Sequence, residues 1–191
     1  MDQAWLNGVR RLEYGDPRGF LARLRKIEPL ISNSALPEAV RTLRTNSLRE
    51  WKEAREAALF CVGMSERMGT PIRFAKSENH DYDFVATWLN ENTRHFAPVQ
   101  LKEVVPSKIN AKATLQALIE QLGEKYVDSP DLTVAIYLNR DVAFDVATLE
   151  VPPLRLAALW VFGGISPDQS RWGLWGDLLG EPIGTRFEYP A

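Results

Sequence analysis

The sequence predicts an α/β fold whose core runs in the order helix, three short strands, helix, strand. Three observations carry that prediction. Ser47 and Glu50 form a capping-box pair at the head of a helix-forming stretch that continues to Gly69. Short alternating apolar runs then extend from Pro71 to Val105, separated by turn-forming residues. Leu115, Leu118, Ile119, Leu122 and Tyr126 next fall at helical spacing, ahead of the almost continuous apolar run Leu132 to Leu138.

Before this core, Asp16-Pro17 has the chemistry of a helix start, with Phe20, Leu21, Leu24 and Ile27 following near helical spacing. A second short helix is expected from Pro37, so residues 1–46 read as a helical lead-in. Its eight basic and five acidic residues up to position 45 leave a mild positive excess, which solvated helix faces carry routinely. In the core helix, Trp51, Ala54, Ala58, Leu59 and Val62 form the apolar stripe, and Glu53, Glu56 and Glu66 lie on or beside its edge. Carboxylates at that edge can reach a neighbouring sheet.

The first strand is expected at Pro71-Ile72-Arg73-Phe74-Ala75, and Ser77 to His80 supply turn chemistry. The second runs from Asp81 to Trp88, a polar loop covers 90–94, and the third runs from Pro98 to Val105. Tight connections make these three an antiparallel meander. Asn110 is the expected cap of the next helix, which as a crossover makes the third strand parallel to the 132–138 strand. Asn139-Arg140-Asp141 then reads as a turn with a local salt bridge at the end of that strand. Pro152-Pro153 marks a break, and 156–162 is a buried strand or short helix ended by Gly163-Gly164. The tail from Ser166, with Trp172, Trp175, Phe187 and Tyr189 among glycines and prolines, is expected to wrap the core, its aromatics packing rather than binding. We therefore expect one domain over 1–191, with the helical lead-in at 1–46, a core at 47–140 and a C-terminal extension at 141–191 packing on the core.

Composition narrows the classes. A chain of 191 residues with 45% hydrophobic content can bury one full core. A formal charge of -2 removes any argument from bulk positive charge, so a nucleic-acid contact has to come from a local patch. A single cysteine, Cys61, excludes an internal disulfide and any all-cysteine metal site, and its apolar surroundings predict a buried, inert thiol. No apolar run approaches the roughly 20 residues that span a bilayer. The expectation is a cytoplasmic protein with no membrane partner. Phosphate-loop, dinucleotide and nucleophile-elbow motifs are absent, and His80 and His95 form no metal-binding pair.

The chemistry concentrates on two strands. Alternate strand residues share a face, so Asp81 and Asp83 point one way on the second strand, and Gln100 and Lys102 one way on the third. As neighbours they make an oxygen-rich cluster with one ammonium, which suits a hard cation and an attacked phosphodiester.

With this element order, Asp83 in Tyr82-Asp83-Phe84-Val85 and Gln100-Leu101-Lys102 resemble the PD-(D/E)xK nuclease superfamily, the restriction-endonuclease-like fold. The resemblance implies a metal-dependent nuclease using Mg2+ or Mn2+, acting on nucleic acid, DNA ahead of RNA. It places Asp83 and Gln100 at the metal and Lys102 beside the attacking water. It also calls for an acid on the core helix, for which Glu56 matches best and Glu53 second. Tyr82 stands where a proline is usual, and Gln100 where an acid is usual. A neutral amide weakens the hold on magnesium unless Asp81, Glu78 or Glu56 restores charge. The competing expectation is an inactive scaffold of the same fold that pairs with a second copy or another protein through its lead-in or tail.

Overall fold

The computed structural model describes residues 3–32, 35, 48–77, 81–126 and 128–191. Ser47, the helix start at Pro37, Glu78 and His80 lie outside the described residues. Among the described residues three helices lead: α1 Gln3–Val9, α2 Pro17–Ser32 and α3 Arg49–Met68. Gly69 ends α3 in the left-handed region at φ 65°, which glycine enters without steric cost. Leu48 takes the cap position of α3 with no side-chain hydrogen bond, and Glu50 pairs with Lys76 at 2.7 Å.

Seven strands follow: β1 Arg73–Lys76, β2 Phe84–Asn90, β3 Thr93–Val104, β4 Ser129–Leu138, β5 Leu156–Gly164, β6 Arg171–Gly176 and β7 Ile183–Glu188. Helix α4, Leu115–Lys125, joins β3 to β4. The strands lie in one sheet in sequence order. The meander β1–β2–β3 is antiparallel, β3, β4 and β5 are parallel, and β6 and β7 add antiparallel pairs. The α/β class, the meander and the crossover therefore form as their hydrophobic periods require. Asn110 does not cap α4. Thr114 does, accepting from the Ala117 N–H at 3.1 Å, while Asn110 closes a local turn to Lys112.

Alternation along the strands divides the core in two. Phe84, Val99, Leu101, Tyr137, Phe162, Trp172 and Leu174 face α3, meeting Ala57, Ala58 and Phe60. Val85, Val104, Ile136 and Val161 face α4, meeting Leu115, Ile119 and Leu122. Phe144, Leu149 and Leu154 of the β4–β5 connection extend this second layer. That connection holds only a single 3-10 turn, Val146–Thr148, so side-chain packing replaces a crossover helix.

The tail corrects one expectation. It is not an irregular wrap; Trp172 and Leu174 alternate on β6, and Phe187 on β7 pairs directly with Trp172. Helix α3 packs closely against this added sheet, because Gly63 leaves room that a Cβ would take from the Phe187 ring, 2.8 Å away. The Leu156–Phe162 run resolves as strand β5. Cys61 is fully buried, and burial pushes its thiol far above the ordinary range. None of the described helices is long and apolar enough to cross a membrane.

Candidate functional site

Strand β2 begins at Phe84, opposite Val99 of β3, and the last backbone contact before it is the Asp83 N–H donating to the Val99 carbonyl at 3.0 Å. The next β3 amide on that side, Leu101, has passed the start of β2. Its N–H donates instead to Asp83 Oδ2 at 2.6 Å. A side-chain carboxylate thus substitutes for a missing ladder partner, as short acidic side chains do at element ends. Gln100 Nε2 donates to the same Oδ2 and, at 3.2 Å, to the Leu101 carbonyl. Asp83 and Gln100 are therefore joined, as their strand parity predicts.

Asp83 is half-buried, and its carboxyl is held above the usual range. Desolvation is the main cause; the Leu101 N–H pulls the other way, the charge of Glu53 raises it again, and Lys102 and Arg49 lower it. Glu53 lies in the second turn of α3, ion-paired with Arg49 at 2.7 Å. Arg49, Glu53 and Lys102 are thus the charges that act on Asp83. Lys102 sits on the α4 side of β3, with its ammonium 5.7 Å from the centre of the Tyr126 ring. Asp81 is exposed in the turn before β2 and is not among the principal charges acting on Asp83.

Glu56 does not join this group. Strand alternation sends Glu103, the residue after Lys102, to the opposite face of β3, under α3. There Lys52 Nζ bonds Glu103 Oε2 and lies 3.3 Å from Glu56 Oε1. Glu103 Oε1 accepts from Asn139 Nδ2 at 2.6 Å, and the Tyr137 hydroxyl donates to Asn139 Oδ1 at 3.4 Å. Glu56 is 4% exposed, and its Oε1 has no hydrogen bond. Lys52 meets Glu56 Oε1 as an ion contact rather than as a hydrogen bond. Burial accordingly pushes the Glu56 carboxyl up to about 7, with Lys52 opposing and Glu103 adding to the rise.

The register of α3 on the sheet places Glu56 with Lys52 and Glu103, and the α3 acid whose charge acts on Asp83 is Glu53. Three residues along a helix are about 4.5 Å of rise and most of a turn, enough to move a carboxylate from one cluster to the other. One neighbouring expectation also changes. Arg140 donates to the carbonyls of Ala113 and Asn110, pinning the β3–α4 loop instead of pairing with Asp141. His95 stacks on Trp88, with ring centres 5.3 Å apart.

The Asp83 cluster offers one carboxylate, met by the amide nitrogen of Gln100, with Glu53 acting on it through its charge. Among the described residues no three His, Cys, Asp or Glu side chains form a metal cage by themselves. Magnesium does not demand one; it keeps several waters and is held by one or two carboxylates plus substrate phosphates. Hard oxygens and a carboxyl raised by burial and by a like charge suit a small divalent cation, so the residues fit the group. Compared with known proteins, the chain matches no family model, no curated protein and no solved structure.

Proposed function

We propose that this protein is a nuclease-like hydrolase of the PD-(D/E)xK type, cutting nucleic-acid phosphodiester bonds with a magnesium or manganese ion held at Asp83. The observation that carries this reading is the joining of Asp83 to Gln100 where β2 starts, with Glu53 and Lys102 both acting on its charge. Asp83 would supply the anionic oxygen, Gln100 would turn its amide to offer a neutral one, and Glu53 would add negative charge to the site. The ion, when bound, makes a water nucleophilic near neutral pH and offsets charge on the phosphoryl oxygens. Lys102 contributes a point charge to the same oxygens. It has to leave the buried Tyr126 ring to do so, at a cost of about 0.5–2 kcal/mol for a half-buried cation–π contact. Arg49 holds Glu53 in place by their ion pair.

A second reading has its own observation. Gln100 already satisfies Asp83 with a neutral donor, and Leu101 completes the set, so the cluster is stable as a structural cap on β3. On that reading the protein is a non-catalytic scaffold. Cleavage of labelled single- and double-stranded DNA and RNA, with magnesium or manganese, separates the two. Wild type should cut, Asp83→Asn and Lys102→Ala should lose cutting, Glu53→Gln should weaken it, and Glu56→Gln should retain it. Absence of cutting by wild type under all these conditions refutes the nuclease reading in favour of the scaffold.

A further inference from the structure

The face of β6 and β7 opposite α3 carries a second group of residues that the Asp83 site does not use. Alternation places Arg171, Gly173 and Trp175 of β6 on this face, beside Gly184 and Arg186 of β7. They line a groove of about 450 Å3. Trp172, three residues before Trp175, is fully buried against the α3 layer, whereas Trp175 is half-exposed. Its indole lies flat along the strand, because Gly173 has no side chain: a Cβ there would stand 2.4 Å from the ring. Phe144 supports the indole edge-on, with centroids 5.0 Å apart at 72°. Arg186 is the direct cross-strand neighbour of Gly173, so its guanidinium stems from beside the ring.

Both arginines are exposed, and among the described residues neither guanidinium has an ion pair or hydrogen bond. The adjoining groove contrasts with this, since its Arg18 is ion-paired with Glu66. Glu188, across from Arg171, is the one acid of β7 on this face. Two arginines therefore face solvent against one carboxylate, next to a fixed aromatic plane.

We propose that this face binds single-stranded nucleic acid, with Trp175 stacking a base and Arg171 and Arg186 contacting the flanking phosphates. Unpaired cations beside a rigid π-surface match a ligand that alternates anionic groups with flat rings. An indole lying on a sheet meets a base only when that base is unstacked, which favours a single strand over a duplex. The surface lies four to five strands from β2 and adds a substrate class to the proposed nuclease, yet it stands whether or not the Asp83 site cuts.

The test is fluorescence anisotropy in EDTA with labelled oligothymidine and oligouridine of about twelve nucleotides, a length within the range that one such surface covers. A duplex of equal length serves as the comparison. Both single strands should bind tighter than the duplex, and a preference between them identifies DNA or RNA as the source. Arg171→Ala with Arg186→Ala should make the slope of log affinity against log salt shallower by about 1.4, at about 0.7 per phosphate contact. Trp175→Leu should weaken binding roughly 5- to 150-fold, the usual range for a stacked base, and Trp175→Phe should restore most of it. The arginine variant sits at exposed positions, so it keeps the proposal testable if Trp175→Leu fails to fold. Glu56→Gln, which belongs to neither site, should bind like wild type. Binding without cleavage therefore counts against the nuclease reading alone, and cleavage with an unchanged arginine variant counts against this surface alone. Equal or tighter duplex binding, an unaltered salt slope, or no binding overturns the proposal.

Discussion

Replacing Glu56 by Gln should stabilise the protein at alkaline pH and leave it unchanged at acid pH. The carboxyl is almost fully buried, its Lys52 partner is bonded to Glu103, and its proton is held up to about 7 against an ordinary 4.5. Since the native state keeps this proton to higher pH than the unfolded chain, it binds more protons between pH 4.5 and 7. Stability must then fall as pH rises through that window. The unfavourable contribution is absent below 4.5 and complete above 7, where it reaches roughly 3 kcal/mol. Glutamine keeps the volume, removes the charge and leaves Lys52 paired one-to-one with Glu103. In a chain of this size that corresponds to roughly 6–12 °C in Tm. Thermal unfolding of wild type and Glu56→Gln from pH 5 to 8 reads the difference directly, because other titrating groups cancel. A gap that stays constant across this range, or a variant less stable than wild type at pH 8, would refute the assignment of Glu56 as a poorly compensated buried acid.

Three further outcomes follow from contacts already described. Gln100→Glu removes the donor to Asp83 and sets two carboxylates together; it should lose about 1–3 kcal/mol in EDTA and gain more Tm from magnesium or manganese than wild type does. Identical melting with and without the ion would count against a metal at this position. Asp83→Ala leaves the Leu101 N–H without its acceptor and should cost about 1–3 kcal/mol in urea unfolding, whereas Asp83→Asn, which keeps an oxygen, should cost less; equal losses would mean that the cap is not what holds β3 there. Gly63→Ala drives a methyl into the Phe187 ring, so overpacking of about 1–3 kcal/mol should outweigh the helix preference of alanine, about 1 kcal/mol. A variant more stable than wild type would show that α3 and β7 do not approach as closely as the structure has them.

What the sequence makes legible is what short-range periodicity encodes. Strands β2 and β3 announce themselves because residue types alternate, and parity alone puts Asp83 and Gln100 within reach once the strands pair antiparallel. Strands β6 and β7 escape because Gly173, Gly176, Gly180, Pro182 and Gly184 interrupt the apolar pattern, leaving Trp172, Trp175 and Phe187 looking irregular until they are divided between two strands. The choice between Glu53 and Glu56 is hidden for another reason. Both lie at the edge of the same apolar stripe, and only the long-range seating of α3 on the sheet decides which one approaches Asp83. The resting place of the Lys102 ammonium is equally non-local, since Tyr126 arrives from the far end of α4.

Strand β3 brings the two polar clusters into one framework. Gln100 and Lys102 face α4, and Glu103 faces α3, so a single strand supplies opposite sides of the sheet with their chemistry. Helix α3 answers in the same alternating way, Arg49 and Glu53 toward Asp83, Lys52 and Glu56 toward Glu103. A slip of one residue in β3 would exchange the faces and bury Lys102 where Glu103 now meets Lys52, placing two cations together. The Lys52–Glu103 pair therefore specifies the register that keeps Gln100 beside Asp83. It is a specificity device whose loss takes the Lys52 ammonium from both Glu103 and Glu56, and breaking a buried pair of this kind costs about 3–5 kcal/mol. Lys52→Met should accordingly destabilise far more than Lys102→Ala, whose ammonium is held only by the face of a ring. Similar losses in the two variants would show that the register is held elsewhere, and that the position of Gln100 beside Asp83 does not depend on the buried pair beneath α3.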